Sequence, residues 1–272
     1  MLAVALLVAG CGGSQPPPDV VVGAGSDAES AVLAELYAAA LRYRGAPARV
    51  QRMPEPVAGL DSGEVAVVPG FTGRLLQRFA PGATAIEDED VYRAMVAALP
   101  EGIAAGDYAS AAADTPAVAV AKATADAWRG RDLATLVRHC SQLTTGSAGG
   151  TKPPAQVGSC KLPAPRVFPS GAALFDALEG GQINAAWTST ADPAIPDDVV
   201  VLADKDPALV RAENVVPLYR RNGLSELEVL ALNEIAGEFD TNALADMRRQ
   251  VAQGADPRQV AEAWLAAHPL GR

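Results

Sequence analysis

The residues able to do chemistry are few and scattered along this chain. Its two histidines, His139 and His268, stand far apart, and no HExxH, CxxC or Walker loop surrounds either. No G-x-S-x-G elbow presents a serine nucleophile. The acids "EDED" at 87–90 precede a helix expected from near Val91, where the dipole favours them; that explains them better than an acid–base pair. "GAGSDA", from Gly23, lacks the third glycine of a dinucleotide fingerprint. The sequence therefore predicts no catalysis, no cofactor and no metal site. Binding chemistry is what remains. In "VVPGFTGRLL" (67–76), Phe71 stands between Gly70 and Gly73 where a strand should stop. A large ring on a tight turn is placed either to meet a ligand or to pack beneath the surface.

Charge narrows the partners. The chain of 272 residues has a formal charge of -10 and only four lysines, Lys122, Lys152, Lys161 and Lys205. No basic stripe could grip nucleic acid. Nearly half the chain is apolar (49%), enough for one large or two moderate domains. The opening "MLAVALLVAG" is shorter than the about 20 apolar residues of a bilayer span and reads as a secretory segment. Val8-Ala9-Gly10-Cys11 resembles the lipobox of bacterial lipoproteins, in which the cysteine is acylated. No Lys or Arg precedes the apolar run, so an ordinary cleaved signal stays open beside a lipid anchor at Cys11. Residues 11–18 then read as a tether, flexible at first and stiffened by prolines. Export would permit a disulfide between Cys140 and Cys160. Closing a loop of about 20 residues adds roughly 3 kcal/mol in the chain-entropy model. The alternative is two thiols, with Cys140 on the apolar face of a helix beside Leu133, Leu136 and Val137.

The elements that must position any site alternate between strands and helices. Val20–Val22 predict a buried strand, and Val32, Leu33, Leu36, Tyr37, Ala40 and Leu41 share one face of the helix after it. Ser26 and Glu29 have capping-box spacing at its start. "LDSGEV" at 60–65 and "LEGGQI" at 178–183 read as one helix–glycine–strand step made twice. One copy ends near Phe71 and Thr72, the other near Trp187 and Thr188. "DDVVVLADK" and "ENVVPLYRR" predict further strands. Three helices follow: Ser225 with Glu228 caps the first and Gly237 ends it, Thr241 opens the second, and Asp256-Pro257 starts the third. Such alternation argues for an α/β fold with its site at the carboxyl ends of strands.

In this order the segments resemble the substrate-binding proteins of ABC importers for osmoprotectants such as glycine betaine, choline, carnitine and proline. The resemblance spans about residues 19–272 and rests on "VVVGAGSDAESAVLAELYAAAL", "LDSGEVAVVPGFTGRLL", "ADTPAVAVAKATADAW", "ALEGGQINAAWTSTAD" with "VVVLADK", "NVVPLYRR" and "GADPRQVAEAWLAAH". It implies a two-lobed type II periplasmic-binding-protein fold with a cleft between the lobes. Residues 19–112 and 208–272 would form lobe 1, and 113–207 lobe 2. It further implies a monomer outside the cytoplasm, lipid-anchored at Cys11, that hands a small solute to ABC permease subunits. A protein with the same fold acting as a sensor or scaffold, without transport, is the alternative.

The resemblance also implies a site. Phe71 stands where the family carries a tyrosine and keeps the ring, so it would hold a quaternary ammonium by cation–π contact. The family's other aromatics fall at Thr115-Pro116-Ala117, at Ser189 and around Glu213-Asn214, with Trp187 a nearby substitute. A cage so depleted leaves a polyol, sugar or phenol open as ligand. Ser26, Asp27, Thr72, Thr115, Thr188, Asp192 and Asn214 would then supply hydrogen bonds.

Overall fold

The computed structural model describes residues 19–149, 151 and 153–271. The expected secretory segment 1–10, the tether 11–18 and Cys11 lie outside these residues. The chain begins with β1 (Val20–Ala24), whose Val22 and Ala24 are fully buried; a strand covered on both faces needs such an unbroken apolar run. Helix α1 (Ala28–Tyr43) follows. Asp27 caps it, accepting from the Ser30 N–H at 2.8 Å. The capping box expected of Ser26 and Glu29 does not form: Asp27, one residue later, takes the cap and frees Glu29 to turn inward.

Next come β2 (Ala48–Arg52), α2 (Pro56–Ser62), β3 (Val67–Phe71), α3 (Thr72–Phe79), α4 (Asp88–Ala97) and β4 (Ile103–Ala105). Helix α4 starts three residues before Val91 and takes Asp88, Glu89 and Asp90 into its first turn, where the dipole rewards them. Then follow β5 (Pro116–Ala121), α5 (Lys122–Trp128), α6 (Leu133–Arg138), β6 (Thr145–Ala148), β7 (Gln156–Val157), β8 (Cys160–Lys161), β9 (Arg166–Phe168), α7 (Gly171–Glu179), β10 (Ala185–Ser189) and β11 (Val199–Val201). The chain closes with β12 (Val215–Arg220), α8 (Glu226–Glu238), α9 (Thr241–Ala252) and α10 (Pro257–Ala267). Ser225 and Glu228 form the expected capping box, and Asp256 caps α10 with Pro257 in its first turn. Thr241 opens α9 as expected, with Asp240 as its cap, and Gly237 lies inside α8 rather than at its end.

Two sheets organise these elements. The first has the order β2-β1-β3-β12-β4, the second β9-β6-β10-β5-β11. In each, the first three strands run parallel and the fourth is antiparallel to both its neighbours. The repeated helix–glycine step delivers the central strand of each sheet: Gly63 leads into β3 and Gly181 into β10. Both glycines adopt left-handed backbone (φ 85° and 68°), a conformation that costs a Cβ-bearing residue dearly. In both copies the strand begins four residues after the glycine, later than the sequence suggested.

Helix α1 is buried almost all round because it is wedged between the first sheet and α8–α10. Leu33, Leu36, Tyr37 and Leu41 pack there with Leu232, Ile235, Phe239 and Leu265. The opposite face of that sheet is covered by Leu60, Leu76 and Met95. The second sheet buries Val118, Val120, Leu136 and Trp187 on one side and Phe175, Leu178 and Ile183 on the other. Cys140 and Cys160 are disulfide-bonded, tying the β7–β8 hairpin to the end of α6. The chain crosses between the sheets twice, and the crossings lie antiparallel: Ala113 bridges Asn214, and the Asp114 N–H donates to the Glu213 carbonyl at 2.9 Å.

Candidate functional site

At the carboxyl ends of β1 and β3, beside the crossings, four side chains close into a ring of alternating charge. Glu29 comes from the first turn of α1, Arg74 from the first turn of α3, Asp114 from the first crossing and Arg248 from α9. Each carboxylate touches both arginines. Glu29 meets Arg74 at 3.1 Å and Arg248 at 3.0 Å through its two oxygens. Asp114 accepts from Arg74 through Oδ2, and from Arg248 at 2.8 Å and the Ser189 hydroxyl through Oδ1. Asp114 is nearly sealed from solvent, its side chain 5% exposed, whereas that of Arg74 is 50% exposed. The ring joins both lobes, because Ser189 ends the central strand of the second sheet.

Phe71 is the last residue of β3, and Arg74 is three residues further on, on the same side of the turn that opens α3. The Arg74 Cζ lies 4.2 Å from the Phe71 ring centroid. The ring, 5% exposed, packs into the core below and is roofed by a guanidinium above. Glu213, from the second crossing, covers the amino end of α3 by accepting from the Arg74 N–H at 2.8 Å. A carboxylate suits that end, where free N–H groups and the dipole favour a negative charge. Its approach requires Gly73: a Cβ there would lie 2.7 Å from Glu213 Oε1 and 2.6 Å from the Ala212 carbonyl.

Burial pushes the Glu213 carboxyl up, to about 7, against the Arg74 N–H and guanidinium that favour its charge. Burial, then the charge of Asp114, also raises Glu29. Burial works on Asp114 the same way, but Arg248, the Ser189 hydroxyl and Arg74 outweigh it and hold that carboxyl below its usual range. For Glu213 the sign of the stability effect follows from its raised folded value. Its contribution is complete below 4.5, while the group is protonated in both states, and is lost as pH rises toward about 7. Urea midpoints measured across that window should fall for the wild type and fall less for Glu213→Gln. Parallel profiles would mean that Glu213 ionises normally.

The structure separates the residues expected from the sequence. Phe71, Thr72, Thr115 and Asn214 come together near the ring. Thr72 and Asn214 spend their polar groups there: the Thr72 hydroxyl accepts from the Asn214 N–H at 3.1 Å, and the Asn214 amide donates to the Ala109 and Ser110 carbonyls. Thr115 accepts from the Glu213 N–H at 3.2 Å. Thr188 donates to Asp192 at 2.6 Å, bracing the loop after β10. Ser26 and Asp27 are exposed at the start of α1. Trp187 is the correction: it is 2% exposed and packs in the core of the second sheet. Superposing the five-residue strands β3 and β10 sets Ser189, not Trp187, in the place of Phe71.

Glu29, Arg74, Asp114 and Arg248, with Ser189, carry the charge network, and none of these four charged residues is among the site residues expected from the sequence. One signal was present. Asp114 is the lone charge in "AAADTPAVAVA", and a charge within an apolar run is rarely buried unpaired. A surface depression of about 420 Å³ between α9 and α10, around Trp264 and His268, holds none of these residues.

The fold has known relatives. The chain is similar to apo YehZ from Escherichia coli (18% identity, TM-score 0.73, covering 93% of this chain and 99% of that one). It is also similar to a glycine betaine/carnitine/choline ABC transporter structure (17%, TM-score 0.76, 92% and 98%). A third likeness is to an ABC-transporter choline-binding protein in complex with choline (15%, TM-score 0.58, 92% and 89%). These likenesses establish the two-lobed type II periplasmic-binding-protein fold, with the cleft between the lobes. No curated protein matches the sequence. The family model for the substrate-binding domain of ABC-type glycine betaine transport systems matches residues 18–152 and 166–267. The chain belongs to that family, whose members bind solutes for ABC importers and are not enzymes.

Proposed function

We propose that this protein is the monomeric, lipid-anchored receptor of an ABC importer, capturing a small osmoprotectant-like solute outside the cytoplasm and delivering it to the permease subunits. Residues 19–112 and 208–272 serve as lobe 1 and 113–207 as lobe 2, with Cys11 carrying the anchor. The observation that carries the reading is the placement of Phe71, Arg74, Asp114 and Ser189. They gather strand ends from both sheets at the two antiparallel crossings, where a hinge motion would open and close the cleft. Thermal shift of the purified full chain against betaine, choline, carnitine, proline, sugars, polyols and phenols tests it. A solute at about 100 times its dissociation constant stabilises by about 2.7 kcal/mol. A saturable shift with one class is the expected result. No shift across the panel from a cooperatively melting protein would favour the sensor or scaffold reading.

A further inference from the structure

The face of Phe71 that could receive a cation already holds one. The guanidinium of Arg74 lies 4.2 Å from the ring centroid. It is held by Glu29 at 3.1 Å and by Asp114, and its backbone N–H is held by Glu213 at 2.8 Å. The four-membered ring sets two carboxylates against two arginines, and Glu213 stands beside it at the Arg74 backbone. Among the described residues, neither Trp187 nor Tyr37 offers a second face. Trp187 is turned into the second core, and Tyr37 is fully buried under the first sheet. A quaternary ammonium approaching Phe71 would meet a fixed positive charge where its own contact should form, and it has no N–H with which to displace Arg74 from its carboxylates.

We propose that Arg74 is a built-in occupant of the cation position on Phe71 and the residue that decides specificity. It turns the cleft away from quaternary ammonium solutes and toward solutes without a permanent positive charge, which its exposed N–H groups can meet as acceptors. The inference rests on the solute-binding reading of this cleft.

The test is calorimetric titration of choline and glycine betaine into the purified full chain and into Arg74→Ala and Arg74→Gln. Both substitutions remove the charge, uncover the ring and leave Glu29 and Asp114 to face an incoming cation. The wild type should give no saturable heat at millimolar ligand. A folded Arg74→Ala or Arg74→Gln protein should bind at least about tenfold more tightly than the wild type, the scale of one well-desolvated cation–π contact. The gain should disappear when Phe71→Ala is added. The idea is overturned if the wild type binds choline or betaine as tightly as the variants, or if folded variants gain nothing. Should neither variant fold, the wild type decides: micromolar binding of a quaternary ammonium overturns the proposal, and binding of an uncharged solute with rejection of choline supports it. A wild type that binds an uncharged solute beside variants that gain nothing sinks this inference alone. A wild type silent to every solute beside a variant that gains choline upholds it and counts against solute capture instead.

Discussion

Asp114→Ala is expected to lower the free energy of unfolding by about 3 kcal/mol, because removing one partner from a buried charge network strands the others. Its two oxygens accept from Arg74, Arg248 and Ser189, which belong to α3, α9 and β10. One truncation therefore loosens the first lobe, a C-terminal helix and the end of the second sheet together. The half-exposed Arg74 can recover hydration, which keeps the cost near the lower end for such sites. Arg248 has less room to do so, its side chain being 21% exposed. Chemical denaturation of Asp114→Ala, Arg248→Ala and the double variant forms a cycle that isolates the pair. A double variant no less stable than the worse single variant would show the coupling directly. Additive losses would mean the two side chains act independently, and the ring would then be a crowd of charges rather than a unit.

Replacing Cys140 and Cys160 together by serine should also cost about 3 kcal/mol, from the freedom regained by the roughly 20-residue loop they close. Packing adds to the loss. Cys160 is buried at 1% exposure beside Val157 and Leu143 in the core of the second sheet, and the β7–β8 hairpin has only two paired positions of its own. The effect should appear as a lower denaturation midpoint, and dithiothreitol should reproduce it on the wild type. A loss below about 1 kcal/mol would show that Val157 and Leu143 hold the hairpin without the bond.

Much of the architecture was legible because it is local. Ser225 with Glu228, and Asp256 with Pro257, cap helices through contacts three residues apart or less. The helix–glycine step is readable twice because only a residue free of Cβ turns left-handed cheaply. The alternation of these units indicated an α/β fold, and the family resemblance implied its two lobes. Small errors came where two local choices compete: Asp27 over Ser26, and a strand beginning four residues after its glycine instead of at once. The last matters most. It moves the strand end from Trp187 to Ser189 and so sends the tryptophan ring into the core.

The sequence alone therefore determined the order of elements, the paired cysteines as candidates for a bond, and Phe71 at the end of a strand. Only the tertiary structure decided what meets Phe71. Glu29, Arg74, Asp114 and Arg248 are spread over most of the chain, and their pairing follows no period that a helix or strand imposes. Charges pair according to distance and burial in space, and those are set when α1, α3, α9 and the crossing segment pack around the first sheet.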